Sequence, residues 1–208
     1  MIGILLGMIL VNIEENNPEY LSAGLFKATV IFFVALLITV FFHEMAHIAA
    51  FKLQGIGIRL IYIFPLFFVK ERECMKFNLK FNINFGFGGI VIPEIPLINS
   101  GREYEKFRKK LQISLACGPI TSIVIGILSF FIVVHTTKYI KDNLCSYYFL
   151  FFSAMFLWSL FVNLTSFLDF GGIVGDYVAI NLLPSIPIQY PRRIATAHCN
   201  GHLKIPKL

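Results

Sequence analysis

The chain has 208 residues, 57% of them hydrophobic and 14% charged, with a mean hydropathy of +0.74. That balance excludes an ordinary soluble domain and predicts an α-helical polytopic membrane protein. The net charge of +6 does not predict a nucleic-acid partner; eleven of the 18 Lys and Arg lie between Lys52 and Lys110, and four more follow Pro191, so the positive charge tracks membrane topology.

Met1 to Ile13 is apolar but short, without a basic leader, and reads as a stunted span, a re-entrant segment or an uncleaved anchor. Residues 14–24 carry Glu14, Glu15 and Glu19 and no Lys or Arg, which suits the outer face. The first core span is predicted over about residues 25–52, ended by Gly55 and Gly57. The basic loop 53–110 is expected in the cytoplasm, where contact with anionic headgroups explains its charge more cheaply than nucleic acid does. Within that loop, residues 56–69 read as strand or membrane-hugging loop interrupted by Pro65. Phe77, Leu79, Phe81, Ile83 and Phe85 alternate with polar residues, the period-2 signature of a half-buried strand. Such a strand must sit at the interface, pair within the protein or line a cavity, and it is a candidate to hold an extended peptide. Residues 100–110 form a charged helical lead-in to a second span over 111–134. A third span is expected over 147–168. With no Gly/Ser- or Pro-rich linker, residues 1–208 read as one membrane-embedded domain.

The chemistry is concentrated in His43-Glu44-Met45-Ala46-His47, in the cytoplasmic half of the first span. Histidines four apart share a helix face and can grip one metal ion, with the intervening Glu placed to act on water polarised by the metal. Composition alone yields such a match in roughly 0.5% of similar chains. Two His and a Glu at membrane depth are also costly unless partnered. Cys74, Cys117, Cys145 and Cys199 lack metal-ligand spacing, so neither a disulfide framework nor a Cys-based zinc site is expected.

Catalytic zinc needs a third protein ligand. No Glu follows Glu105, and the position six residues beyond His47 is Leu53. Asp142 and His135 belong to the presumed outer loop, and His198 and His202 to a polar tail. Asp169 and Asp176 follow the third span at the depth of the histidines, and one of them is predicted to complete the site.

Three stretches in order, His43 to His47, Cys117-Gly118-Pro119-Ile120-Thr121-Ser122, and Asn163-Leu164-Thr165-Ser166-Phe167 followed by an aspartate, resemble the site-2 protease family of intramembrane metallopeptidases. The resemblance covers residues 25 to about 183. It implies a three-helix core, with the N-terminal apolar segment and an interfacial β-hairpin region added to it. It also implies one Zn2+ per chain held by His43, His47 and an aspartate, with Glu44 activating water and Asn163 assisting near the reacting carbonyl. Substrates would be membrane-spanning or membrane-associated segments of other proteins, cut by a multi-pass protein of the cell membrane whose active site is near the cytoplasmic face. The chain departs from the family pattern at Ser166, where Pro is usual, and in lacking an Asp-Gly pair. Asp176 opens an apolar helix as the family ligand does and is preferred, with Asp169 as the alternative. The alternative function is a non-catalytic membrane binding or regulatory protein on the same fold.

Overall fold

The computed structural model describes residues 21–71, 74–79, 88–137, 143–170 and 173–182. The N-terminal apolar stretch, residues 80–85 of the alternating run, Asp142 and the C-terminal tail lie outside these residues. Three long helices, α1 (Leu21–Leu53), α2 (Gly101–Thr136) and α3 (Asn143–Thr165), pack against one another, and a small antiparallel sheet is inserted between α1 and α2. All three helices are long and apolar enough to cross a membrane. Strands β5 (Asp169–Phe170) and β6 (Ile173–Val174) form a tight hairpin after α3, and a short helix, α4 (Asp176–Leu182), closes the described chain.

Local chemistry sets the helix ends. At the end of α1, Gly55 has φ +70, a left-handed conformation favouring glycine, while its N–H bonds the Lys52 carbonyl at 3.0 Å and that of Ile56 bonds the Phe51 carbonyl at 2.8 Å. This is a Schellman stop, sealed by the buried pair Phe51 and Ile56. Ser100 caps α2, its Oγ accepting from the Glu103 N–H at 3.2 Å, while the Glu103 carboxylate accepts from the Asn99 N–H at 2.9 Å. The charged lead-in and the second span are therefore one continuous helix. Helix α3 begins at Asn143 and stops at Thr165, three residues before the predicted end, because the chain turns at Ser166 and Phe167.

The sheet order is β3–β2–β1–β4, from β1 (Ile58–Ile63), β2 (Leu66–Glu71), β3 (Cys74–Leu79) and β4 (Gly89–Pro93). The interruption expected at Pro65 is the β1–β2 turn, with Ile63 opposite Leu66. The first residues of the alternating run, Phe77 to Leu79, end β3, whose six residues are all exposed and which lies at the edge of the sheet opposite β4. Strand β4 packs against α1.

Helix α2 is largely polar and small on its buried face and apolar on its outer one. The buried residues of α2 are Tyr104, Ser114, Gly118, Pro119, Ser122, Gly126 and Ser129, whereas Ile123, Ile127, Leu128 and Phe131 face outward. This inversion suits a lipid environment, where close backbone approach rather than apolar burial holds helices together. Gly126 lies against Ser159 of α3, so that a Cβ there would come within 3.2 Å of the serine Cβ. Larger residues knit α1 to α3: Trp158 stacks obliquely on Phe32 and donates its indole N–H to the Phe32 carbonyl at 3.0 Å. Replacing Gly126 by Leu is expected to cost about 1–3 kcal/mol through overpacking. Ile127→Ala, one residue along on the outer face, should cost less than about 1 kcal/mol. Unfolding of both variants in detergent micelles measures the difference.

Candidate metal centre

His43 and His47 project from one face of α1 and are buried. Each ring is fixed at its Nδ1 by helix α2. His47 Nδ1 lies 3.0 Å from the carbonyl oxygen of Ser114, and His43 Nδ1 lies 2.8 Å from Ser122 Oγ. A carbonyl only accepts, so Nδ1 of His47 carries its proton and Nε2 of the neutral ring presents a lone pair. Anchoring the remote nitrogen in this way orients a ligating imidazole.

The two Nε2 atoms point to a common centre 3.2 Å apart. Asp176 completes the group from the first residue of α4, its Oδ2 lying 3.0 Å from His43 Nε2 and 3.4 Å from His47 Nε2. Helix α4 is placed by main-chain bonds: the Gly175 N–H reaches the Leu168 carbonyl and the Tyr177 N–H the Ser166 carbonyl, both at 3.0 Å. Ser166 Oγ lies 3.4 Å from Asp176 Oδ2, so the serine found where the family pattern has proline touches the carboxylate. A Cβ at Gly175 would run into the Ser166 carbonyl, which leaves glycine as the residue that fits before Asp176.

The donor set fits zinc. Bonds of about 2.0–2.1 Å in tetrahedral geometry put ligand atoms about 3.3 Å apart, and the three separations here are 3.0, 3.2 and 3.4 Å. The space between the rings is kept by Gly118 of α2: a Cβ there would overlap His47 Nε2 and come within 2.8 Å of His43 Nε2.

Glu44 is buried beside the histidines. With His43 and Asp176 it lines a cavity of about 430 Å³ whose other walls include Leu36, Val40, Trp158 and Phe161. Gly89, the first residue of β4, abuts the Glu44 carboxylate, and a Cβ at that position would lie 2.5 Å from its carboxyl carbon. The carboxylate therefore packs on the surface of β4 at a glycine, where any side chain would displace it.

Of the residues singled out in the sequence, the fold brings together His43, Glu44, His47 and Asp176. Asp169 opens β5, where its main chain pairs with Val174. Asn163 does not line the cavity; its amide nitrogen donates to the Ser159 carbonyl at 2.9 Å, and its Oδ1 is buried without a partner. Sequence reasoning assigned no role to Ser114, Gly118, Ser122 or Gly89. A signal for the first three was present, since Ser114, Gly118, Ser122 and Gly126 recur every four residues as small side chains in an apolar span.

The model of one protein family, described as Peptidase family M50, matches residues 31–190. No curated protein and no solved structure matches the chain.

Gly118→Ala is expected to push the two imidazoles apart and abolish stoichiometric zinc binding while leaving the helices formed. Ser122→Ala, which frees one ring, should weaken zinc by about 10- to 100-fold. Metal content of the purified variants and competition with a chelating dye measure both effects.

Proposed function

Because the chain belongs to peptidase family M50, the site-2 protease family, we propose that it is an intramembrane zinc endopeptidase cutting membrane-spanning or membrane-associated segments of other proteins. It would be a multi-pass protein of the cell membrane with its active site near the cytoplasmic face. The observation that carries this reading is the convergence of His43 Nε2, His47 Nε2 and Asp176 Oδ2 beside the buried Glu44, inside a bundle of helices long enough to span a bilayer. The basic residues between Lys52 and Lys110, close to this end of α1, support the cytoplasmic placement.

His43, His47 and Asp176 would hold the metal, leaving room on the side of the cavity for substrate. When bound, zinc supplies a Lewis acid that polarises the scissile carbonyl and acidifies water. Glu44 accepts a proton from the attacking water and returns it to the leaving amine, acting first as base and then as acid. The Ser114 carbonyl keeps His47 in the tautomer that presents Nε2 to the centre, and Ser122 orients the ring of His43.

A helical substrate cannot offer its amide, because its backbone is hydrogen-bonded within the helix. It must be held extended. The alternating run from Phe77 to Phe85 was the expected holder, but β3, where it begins, is separated from β4 by β2 and β1. Strand β4 is the better candidate: it pairs with β1 on one side, and its first residue touches Glu44. Main-chain pairing to its other edge would lay a peptide across the mouth of the cavity.

Glu44→Gln is expected to retain about one zinc per chain and to reduce cleavage of a transmembrane substrate by ~100-fold or more. Retained cleavage would sink the mechanism. Asp176→Asn should lose the metal and Asp169→Asn should keep it, read by metal analysis; the reverse pattern would move the third ligand to Asp169.

A further inference from the structure

A second recess, of about 690 Å³, lies away from the metal centre, between the end of α1, the start of β1, the end of β4 and the first turns of α2. Its walls carry four cations, Arg59, Lys70, Lys106 and Lys110, and two carboxylates, Glu94 and Glu103. Both carboxylates have other work. Glu94 pairs with Lys70 at 3.0 Å, and Glu103 closes the cap of α2 by accepting from the Asn99 N–H at 2.9 Å. Lys110 donates to the Gln54 carbonyl at 2.7 Å, at the end of α1. Among the described residues, no carboxylate lies within ion-pair distance of Arg59 or Lys106. The recess thus holds a net charge of +2 with two cations uncommitted, and it opens beside the cap of α2, whose dipole also favours an anion.

Its depth is set by the sequence. The apolar part of α1 ends at Leu53, and that of α2 begins at Leu111. The recess is lined by Gly55 and Lys110, just past each of these limits. If the helices span a bilayer as proposed above, this is the plane of the lipid phosphates. Leu53, Ile95 and Leu97 are exposed nearby, at 87%, 58% and 80%. These are apolar surfaces suited to the glycerol and upper acyl region.

We propose that this recess binds the phosphate of an anionic phospholipid, with Arg59 and Lys106 as the principal contacts and Lys70 held in reserve by Glu94. A bound lipid would bridge the β4 end of the sheet to α2. The site is independent of the peptidase chemistry and rests only on the membrane placement.

The test uses the full chain in lipid nanodiscs and, separately, in detergent with phosphatidylglycerol or phosphatidylcholine added and bound lipid read by native mass spectrometry. Phosphatidylglycerol should be retained in preference to phosphatidylcholine. The double variant Arg59→Gln/Lys106→Gln should lower its retention by about tenfold or more. Arg102→Gln/Lys109→Gln, which removes the same charge from the same region outside the recess, should change retention by less than about twofold. Glu94→Gln, by removing a negative charge from the wall of the recess, should strengthen binding, a gain that misfolding cannot mimic. Equal loss in the two double variants, no headgroup preference, or displacement of the lipid by millimolar inorganic phosphate would overturn the proposal. Failure to incorporate into nanodiscs would instead overturn the membrane reading on which it rests.

Discussion

A buried imidazole in an apolar bundle must find a partner for each ring nitrogen, and here that requirement falls twice on one face of α1. The two Nδ1 atoms are met by Ser114 and Ser122, so α2 must lie against α1 in one rotation and one register. The two Nε2 atoms and the Asp176 carboxylate converge on one centre, so the chain must come back to α1 after α3. The small residues of α2 follow from the same need, because side chains of ordinary size would keep the helices too far apart for the serines to reach. The placing of α2 and α4 against α1 can thus be traced to four ring nitrogens.

Helices with strong apolar runs were legible in the sequence, since a span of that length leaves few other options. Their ends were legible only where the cap was chemical. Gly55 announced the end of α1, whereas the end of α3 depends on a main-chain bond that fastens Ser166 to Tyr177 of α4, eleven residues on. The motif on α1 was read directly from spacing. Asp176 was reached by eliminating other acids and by the resemblance at the start of α4, and the fold brings its carboxylate to the histidines. What escaped notice were residues whose contribution is smallness or a carbonyl group. Gly118 acts through the space it leaves, and Ser114 binds His47 through its backbone, so neither side chain carries chemistry that a sequence displays.

The sheet shows the opposite error. Strict alternation from Phe77 marked a strand, yet β3 buries neither face, and the strand that touches the site begins with glycine and does not alternate. Period-2 patterning records the difference between two faces of a strand. It carries no information about which edge lies near a reactive group. That information lies in the pairing order, which is set by long-range contacts such as Glu94 N–H to the Gly57 carbonyl at 2.7 Å. The same junction borders the cationic recess, which both Gly57 and Glu94 line.

The contact between His43 and Asp176 spans 133 positions of sequence. Closing so long a loop carries an entropic cost that grows only slowly with length, and a strong cross-link at its base removes much of that freedom from the unfolded chain. Whatever occupies the space between these side chains therefore acts as a clasp on the bundle as well as a reagent. Integrity of α4, which has only seven residues, becomes a reporter of that clasp. Susceptibility of the chain between α3 and α4 to proteolysis would register the state of the centre without any turnover.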